Sequence, residues 1–188
     1  MTRAFLALPF HAPFHQEIQE IQAHFRARLP GARYLPVFQV HLTLHFFGEL
    51  SDARIQTAQE LLREPVSTTP AFLLGLRGSG VFPDWERPSV LWIGLKGEIE
   101  KLVHFQKILE EKLLAGGFGI ESRLFKPHLT IARFPRAGKN GKDPKIAEPS
   151  RALGVDSEIK KISLAVFYRS LLKPEGPQYE PIETYRFS

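Results

Sequence analysis

The chain has 188 residues, long enough to bury roughly 70% of the surface its unfolded form exposes, so no disulfide or structural metal is needed to hold it folded. It contains no cysteine, which excludes disulfide scaffolds, thiolate metal sites, iron–sulfur clusters and cysteine nucleophiles. The 25 Lys and Arg against 20 Asp and Glu leave a formal charge of +5, a moderate excess that supports an anionic partner only weakly.

No apolar run approaches the about 20 residues of a membrane-spanning helix. The opening MTRAFLALPFHAPFH is broken by Pro9 and reads as a first strand over residues 3–8, not as a signal peptide, so the expected location is the cytoplasm. Phe14, Ile18, Ile21, Phe25 and Leu29 then recur at helical spacing, closed by Pro30-Gly31. Residues 40–47 alternate apolar and polar and read as a strand. Ser51 is a good N-cap for a helix through Ile55, Ala58, Leu61 and Leu62. Short apolar strands at 72–76 and 90–95 flank the turn-rich GSGVFPDWERP. A third helix is marked by Ile99, Leu102, Val103, Gln106, Leu109 and Leu113 and ends at Gly116-Gly117. Strands follow at 128–134, 161–171 and 180–187. With no flexible linker and no low-complexity tract, residues 1–188 read as one compact unit.

Sliding the sequence on itself by 87 residues lays His41-Leu-Thr-Leu on His128-Leu-Thr-Ile without a gap. The same shift lays the first strand on the strand at 90–95, and the first helix on the third. The expectation is a diverged duplication. Two α+β lobes, rich in antiparallel strands and sandwich-like, would each offer the same strand to a central cleft.

A strand has period two, so His41, Thr43 and His45 should share one face, and His128 and Thr130 another. Their apolar neighbours claim the core, which turns both His/Thr faces toward the cleft. Two imidazoles can act as general base and general acid on opposite sides of a phosphorus, and two threonine hydroxyls can hold its non-bridging oxygens. The unperturbed histidine pKa of about 6.5 lets one ring be neutral while the other is protonated. Arg133 would add a cation near the developing charge, although strict alternation puts it on the core side, so a twist or bulge is required.

A single strand histidine or threonine is more often structural than catalytic; the matched pair is what favours catalysis. His45 has no counterpart, because Ala132 stands in its place, and it reads as a wall of the groove. His11, His15, His24 and His104 read as surface residues. The four-residue spacing of His41 and His45 is that of a helical zinc pair, but it falls on a strand without an HExxH motif, so no metal is expected. There is no GxSxG elbow, no GxGxxG and no GxxxxGK[ST], and no cofactor is expected. Trp85 and Trp92 read as core or rim aromatics.

On these residues the chain resembles the two-histidine phosphoesterase superfamily, and within it the RNA 2',3'-cyclic phosphodiesterases first named 2'-5' RNA ligases. The likeness runs nearly end to end: Arg3 to Leu8 as the opening strand, His41-Leu42-Thr43-Leu44 with Phe46-Phe47-Gly48 as the first motif, and Phe125-Lys126-Pro127-His128-Leu129-Thr130-Ile131-Ala132-Arg133 as the second. Tyr168 to Leu171 and Gly176 to Tyr179 resemble the closing hairpin. The resemblance implies hydrolysis of an RNA 2',3'-cyclic phosphate to a 2'-phosphate. It makes His128 the base that activates water and His41 the acid that protonates the leaving 3' oxygen, with Thr43, Thr130 and Arg133 on the phosphate. An isolated basic run is usually a solvated loop. Beside such a site, Arg136, Lys139 and Lys142 become candidate contacts for the RNA backbone, sensitive to salt. The expected partner is RNA with a cyclic phosphate end, including tRNA fragments, and the expected state is a monomer. Two rivals stand: a reversible 2'-5' ligase, which swaps water for a 5'-hydroxyl, and an RNA- or nucleotide-binding module without turnover.

Overall fold

Two antiparallel sheets carry the described residues, one with its strands in the order 41–50, 2–9, 164–173, 176–186 and the other in the order 33–34, 128–133, 90–97, 72–82, 160–162. A computed structural model describes residues 1–120, 124–135, 154–173 and 176–188. In chain order the elements are β1 (Thr2–Pro9), α1 (His15–Arg28), β2 (Arg33–Tyr34), β3 (His41–Leu50), α2 (Asp52–Thr68), β4 (Phe72–Phe82) and β5 (Val90–Gly97). There follow α3 (Ile99–Ala115), β6 (His128–Arg133), β7 (Lys160–Ile162), β8 (Leu164–Lys173) and β9 (Gly176–Arg186). A 3-10 turn over Val37–Gln39 precedes β3. The α+β class read from the sequence holds, with three α-helices among the described residues beside the two sheets. None of these helices is long and apolar enough to cross a membrane.

The helices sit where the apolar spacing puts them. In α1 the buried positions are Ile18, Ile21, Gln22 and Phe25, one stripe at helical spacing. Full burial of a Phe or Leu side chain is worth about 1.5–3 kcal/mol, and Phe10, Phe14, Phe25, Phe72 and Phe167 are all fully buried. Ser51 caps α2, its hydroxyl accepting from the Arg54 backbone N–H at 3.4 Å. The Arg54 guanidinium stands 3.7 Å over the Phe118 ring and donates to the Gly116 and Gly117 carbonyls, which closes the C-terminal end of α3.

Two stretches depart from expectation. Strand β4 continues through the GSGVF read as a turn: Gly78, at φ 68°, sits at a register shift against β5, and Gly80 runs under the Trp92 ring. A Cβ on Gly80 would come within 2.3 Å of the indole, so the glycine permits a close approach here and not a chain reversal. The strand read over 161–171 is two. β7 pairs with β4, the chain leaves that sheet at Ser163, and β8 pairs with β1 in the other sheet.

Candidate active site

The two motif strands, β3 and β6, lie against each other where the sheets meet. Each carries a bulge at the same place in its motif. On β3, Thr43 pairs with Ala7 and His45 with Leu6, leaving Leu44 unmatched. On β6, Thr130 pairs with Trp92 and Ala132 with Leu91, leaving Ile131 unmatched. An extra residue reverses the side-chain phase beyond it. Leu44 and His45 are therefore both buried, as are Ile131 and Ala132. Phe46 and Arg133 return to the face that carries the histidines and threonines. This is the bulge that a role for Arg133 requires.

Each unmatched residue is held by a buried glutamine. Gln22 of α1 donates from Nε2 to the Ile131 carbonyl at 3.1 Å and to the Leu35 carbonyl at 2.7 Å, and the Leu35 N–H donates to Ile131 at 3.0 Å. Gln106 of α3 donates to the Leu44 carbonyl at 3.4 Å. Both side chains are 5% exposed. A bulge frees a carbonyl from the ladder, and a buried carbonyl needs a donor. In the sequence each glutamine reads only as a polar residue on a helix; its spacing among core positions was the one available signal.

His41 and His128 are fixed alike. His41 Nδ1 lies 2.6 Å from the Gln39 carbonyl oxygen, and His128 Nδ1 lies 2.6 Å from that of Lys126. A carbonyl only accepts, so each Nδ1 carries the proton and each Nε2 is left for the cleft. Their surroundings differ. Phe5 and Tyr179 stand 5.0 and 5.2 Å from the His41 ring, and Tyr168 stands 6.3 Å away. Phe82 meets His128 edge-on at 5.0 Å. Burial pushes the His41 pKa down to about 4; the Gln39 bond opposes the shift, and the Arg133 and His128 charges add to it. Tyr179 is raised by burial and lowered by Arg133 and Arg3.

The cleft thus brings together His41, Thr43, His128, Thr130 and Arg133, with Thr43 exposed and Thr130 half-buried. It can receive an anion, supply a base and an acid from opposite strands, and hold both rings against rotation. His45 is a correction. The Leu44 bulge turns it into the core, 3% exposed, with neither ring nitrogen partnered among the described residues and its ring against Phe47 at 4.5 Å. It is no wall of the groove, and it cannot share a metal ion with His41, which faces the other way. His15 and His104 are exposed, as expected, whereas His11 and His24 are half-buried. Arg136, Lys139 and Lys142 lie outside the described residues. Sequence reading did not single out Tyr179 or Phe82 as neighbours of the histidines, because their placement depends on strand pairing.

A family model described as the 2'-5' RNA ligase superfamily matches residues 10–157. The RNA 2',3'-cyclic phosphodiesterase of Methanothermobacter thermautotrophicus is 29% identical over 186 residues, covering 98% of this chain and 98% of that protein. The protein of the same name from Methanocaldococcus jannaschii is 31% identical over 184 residues, covering 97% and 99%. Among solved structures, TT0787 of Thermus thermophilus matches with a TM-score of 0.78 at 26% identity, over 98% of this chain and 97% of that one. E. coli LigT complexed with 3'-AMP matches with a TM-score of 0.76 at 23% identity, over 100% and 98%, a likeness of fold.

Proposed function

The chain belongs to the 2'-5' RNA ligase superfamily, and from that premise we propose that it hydrolyses 2',3'-cyclic phosphate ends of RNA to 2'-phosphomonoesters, with no metal in the reaction. The observation that carries this reading is the matched pair of imidazoles, each anchored at Nδ1 with Nε2 left for the cleft. The curated relatives named RNA 2',3'-cyclic phosphodiesterase, similar over nearly the whole chain, support the substrate.

In this mechanism His128 Nε2 takes a proton from water as the water oxygen bonds to phosphorus. The bond from phosphorus to the 3' oxygen breaks, and His41 Nε2–H gives its proton to that oxygen. The product carries a 2'-phosphate and a 3'-hydroxyl. Thr43 and Thr130 donate to the non-bridging oxygens, and Arg133 offsets their charge as the pentavalent state forms. His41 is neutral at pH 7 without substrate, so its acid role needs the phosphate. An anion between the rings favours the imidazolium and raises its pKa.

The duplication read at a shift of 87 residues belongs to the same proposal. It is supported by the bulges, whose unmatched residues Leu44 and Ile131 coincide under that shift. Action on tRNA fragments, as a cytoplasmic monomer, completes the reading.

Phosphorus NMR of a short RNA ending in a 2',3'-cyclic phosphate, incubated with the protein in excess EDTA, tests the reaction. The expected result is a 2'-monophosphate, with rates lowered about 10²- to 10⁴-fold in His41→Ala and in His128→Ala. An unchanged resonance with folded protein, or full activity in either variant, overturns it.

A further inference from the structure

We infer that the cavity beside His41 is a subsite for the nucleotide bearing the cyclic phosphate, in which Arg33 and Lys173 hold the phosphodiester on its 5' side. The inference rests on the cyclic phosphodiesterase reading and adds to it a preference for RNA ends over free nucleoside cyclic phosphates.

The cavity has a volume of about 390 Å³ and opens between the β2 edge and the β8–β9 hairpin, with Arg33, Phe38, Arg133, Lys173, Gln178 and Tyr179 in its lining. It adjoins the reacting centre through Arg133, which acts on His41, and Tyr179, which packs against it. Gln39, whose carbonyl anchors His41, is also part of its wall.

The charge in this lining is all of one sign. Arg33 of β2 is paired directly with Arg133 of β6, so the two side chains emerge on the same face. Like charges at paired positions repel unless an anion lies between or beside them. Among the described residues neither arginine has a carboxylate partner, and the lining contains no acid. The Arg33 guanidinium reaches across to the hairpin and rests on Gly176. There a Cβ would come within 2.6 Å of Nη2, and Gly176 is itself the strand partner of Lys173. Two cations therefore meet at the hairpin, while Arg133 faces the catalytic cleft.

A nucleotide offers the matching set of groups. Its cyclic phosphate fits the end held by Arg133, and its 5'-phosphate fits the end held by Arg33 and Lys173. Phe38, 65% exposed at the mouth, offers a ring face on which a base can stack whatever its identity.

The test compares adenosine 2',3'-cyclic phosphate with the same compound bearing a 5'-phosphate, in the wild-type protein and in Arg33→Gln, Lys173→Gln and the double variant. A charge-assisted contact predicts that the wild type favours the 5'-phosphorylated compound by about tenfold or more in kcat/KM. That ratio should fall toward one in the double variant, and toward one in the wild type at high salt. Both side chains are exposed, and melting temperature checks that the variants are folded. Equal use of the two compounds by the wild type, or a ratio unmoved by the double substitution, overturns the subsite. If the wild type turns over neither compound, the hydrolase reading fails instead. The ratio of their dissociation constants then decides the subsite by the same criterion.

Discussion

His41 and His128 share one local geometry: in each, Nδ1 meets the carbonyl oxygen two residues upstream at 2.6 Å, from Gln39 in one strand and Lys126 in the other. The anchoring carbonyl removes ring rotation and selects the tautomer whose free nitrogen is Nε2. The two rings differ in enclosure. Phe5, Tyr168 and Tyr179 surround His41, and burial takes its pKa down to about 4.

Anion binding should therefore be linked to proton uptake. Sulfate, which does not titrate between pH 5 and 7, should bind about tenfold more tightly at pH 5 than at pH 7. The sign follows from the order of the two pKa values. The free ring is neutral, the ring beside an anion is charged, and a falling pH favours the charged state. Calorimetry in buffers of different ionisation heat should show protons taken up, and His41→Gln should lose most of that uptake. An affinity flat with pH would sink the link between the two.

The glutamine bonds to the bulges make a second prediction. Gln22→Leu keeps the volume but leaves the Leu35 carbonyl without its buried amide donor, while the Ile131 carbonyl keeps only the Leu35 N–H, a loss of about 1–3 kcal/mol in stability. If Gln22 also positions the motif, kcat should fall roughly tenfold or more while KM changes little, since a small displacement of Thr130 and Arg133 is felt in the transition state. Gln22→Glu at a pH where the carboxyl is protonated restores one donor and should recover part of kcat. Wild-type kcat in a destabilised Gln22→Leu would leave the residue with packing alone.

His45 supplies the third. Burial lowers its pKa to about 4, below the unfolded value near 6.5. The unfolded chain then binds the proton first, so stability is lost as pH falls from about 6.5 toward 4, by up to roughly 3 kcal/mol from this one group. His45→Leu removes two buried nitrogens that have no partner among the described residues and should flatten that slope, its gain in melting temperature growing as pH falls and largest near pH 4. Parallel melting curves for the two proteins across this range would show that His45 stays uncharged or finds a partner.

The α+β class, the three helices described and the matched spacing of the two HxT motifs were legible in the residues themselves. Ile18, Ile21 and Phe25 report a helix through their spacing, and His41, Thr43, His128 and Thr130 report a shared face through alternation. Such signals are local, because period and capping depend on neighbours in sequence. What tertiary structure decided is where the period breaks. Leu44 and Ile131 look like any apolar strand residue, yet each is the unmatched member of a bulge set by register against β1 or β5. That single extra residue sends His45 into the core and brings Arg133 to the cleft. The split of 161–171 into two strands at Ser163, and the meeting of Arg33 with Gly176, are equally non-local. Strand pairing joins residues distant in sequence, and its energetics are written in the partner strand.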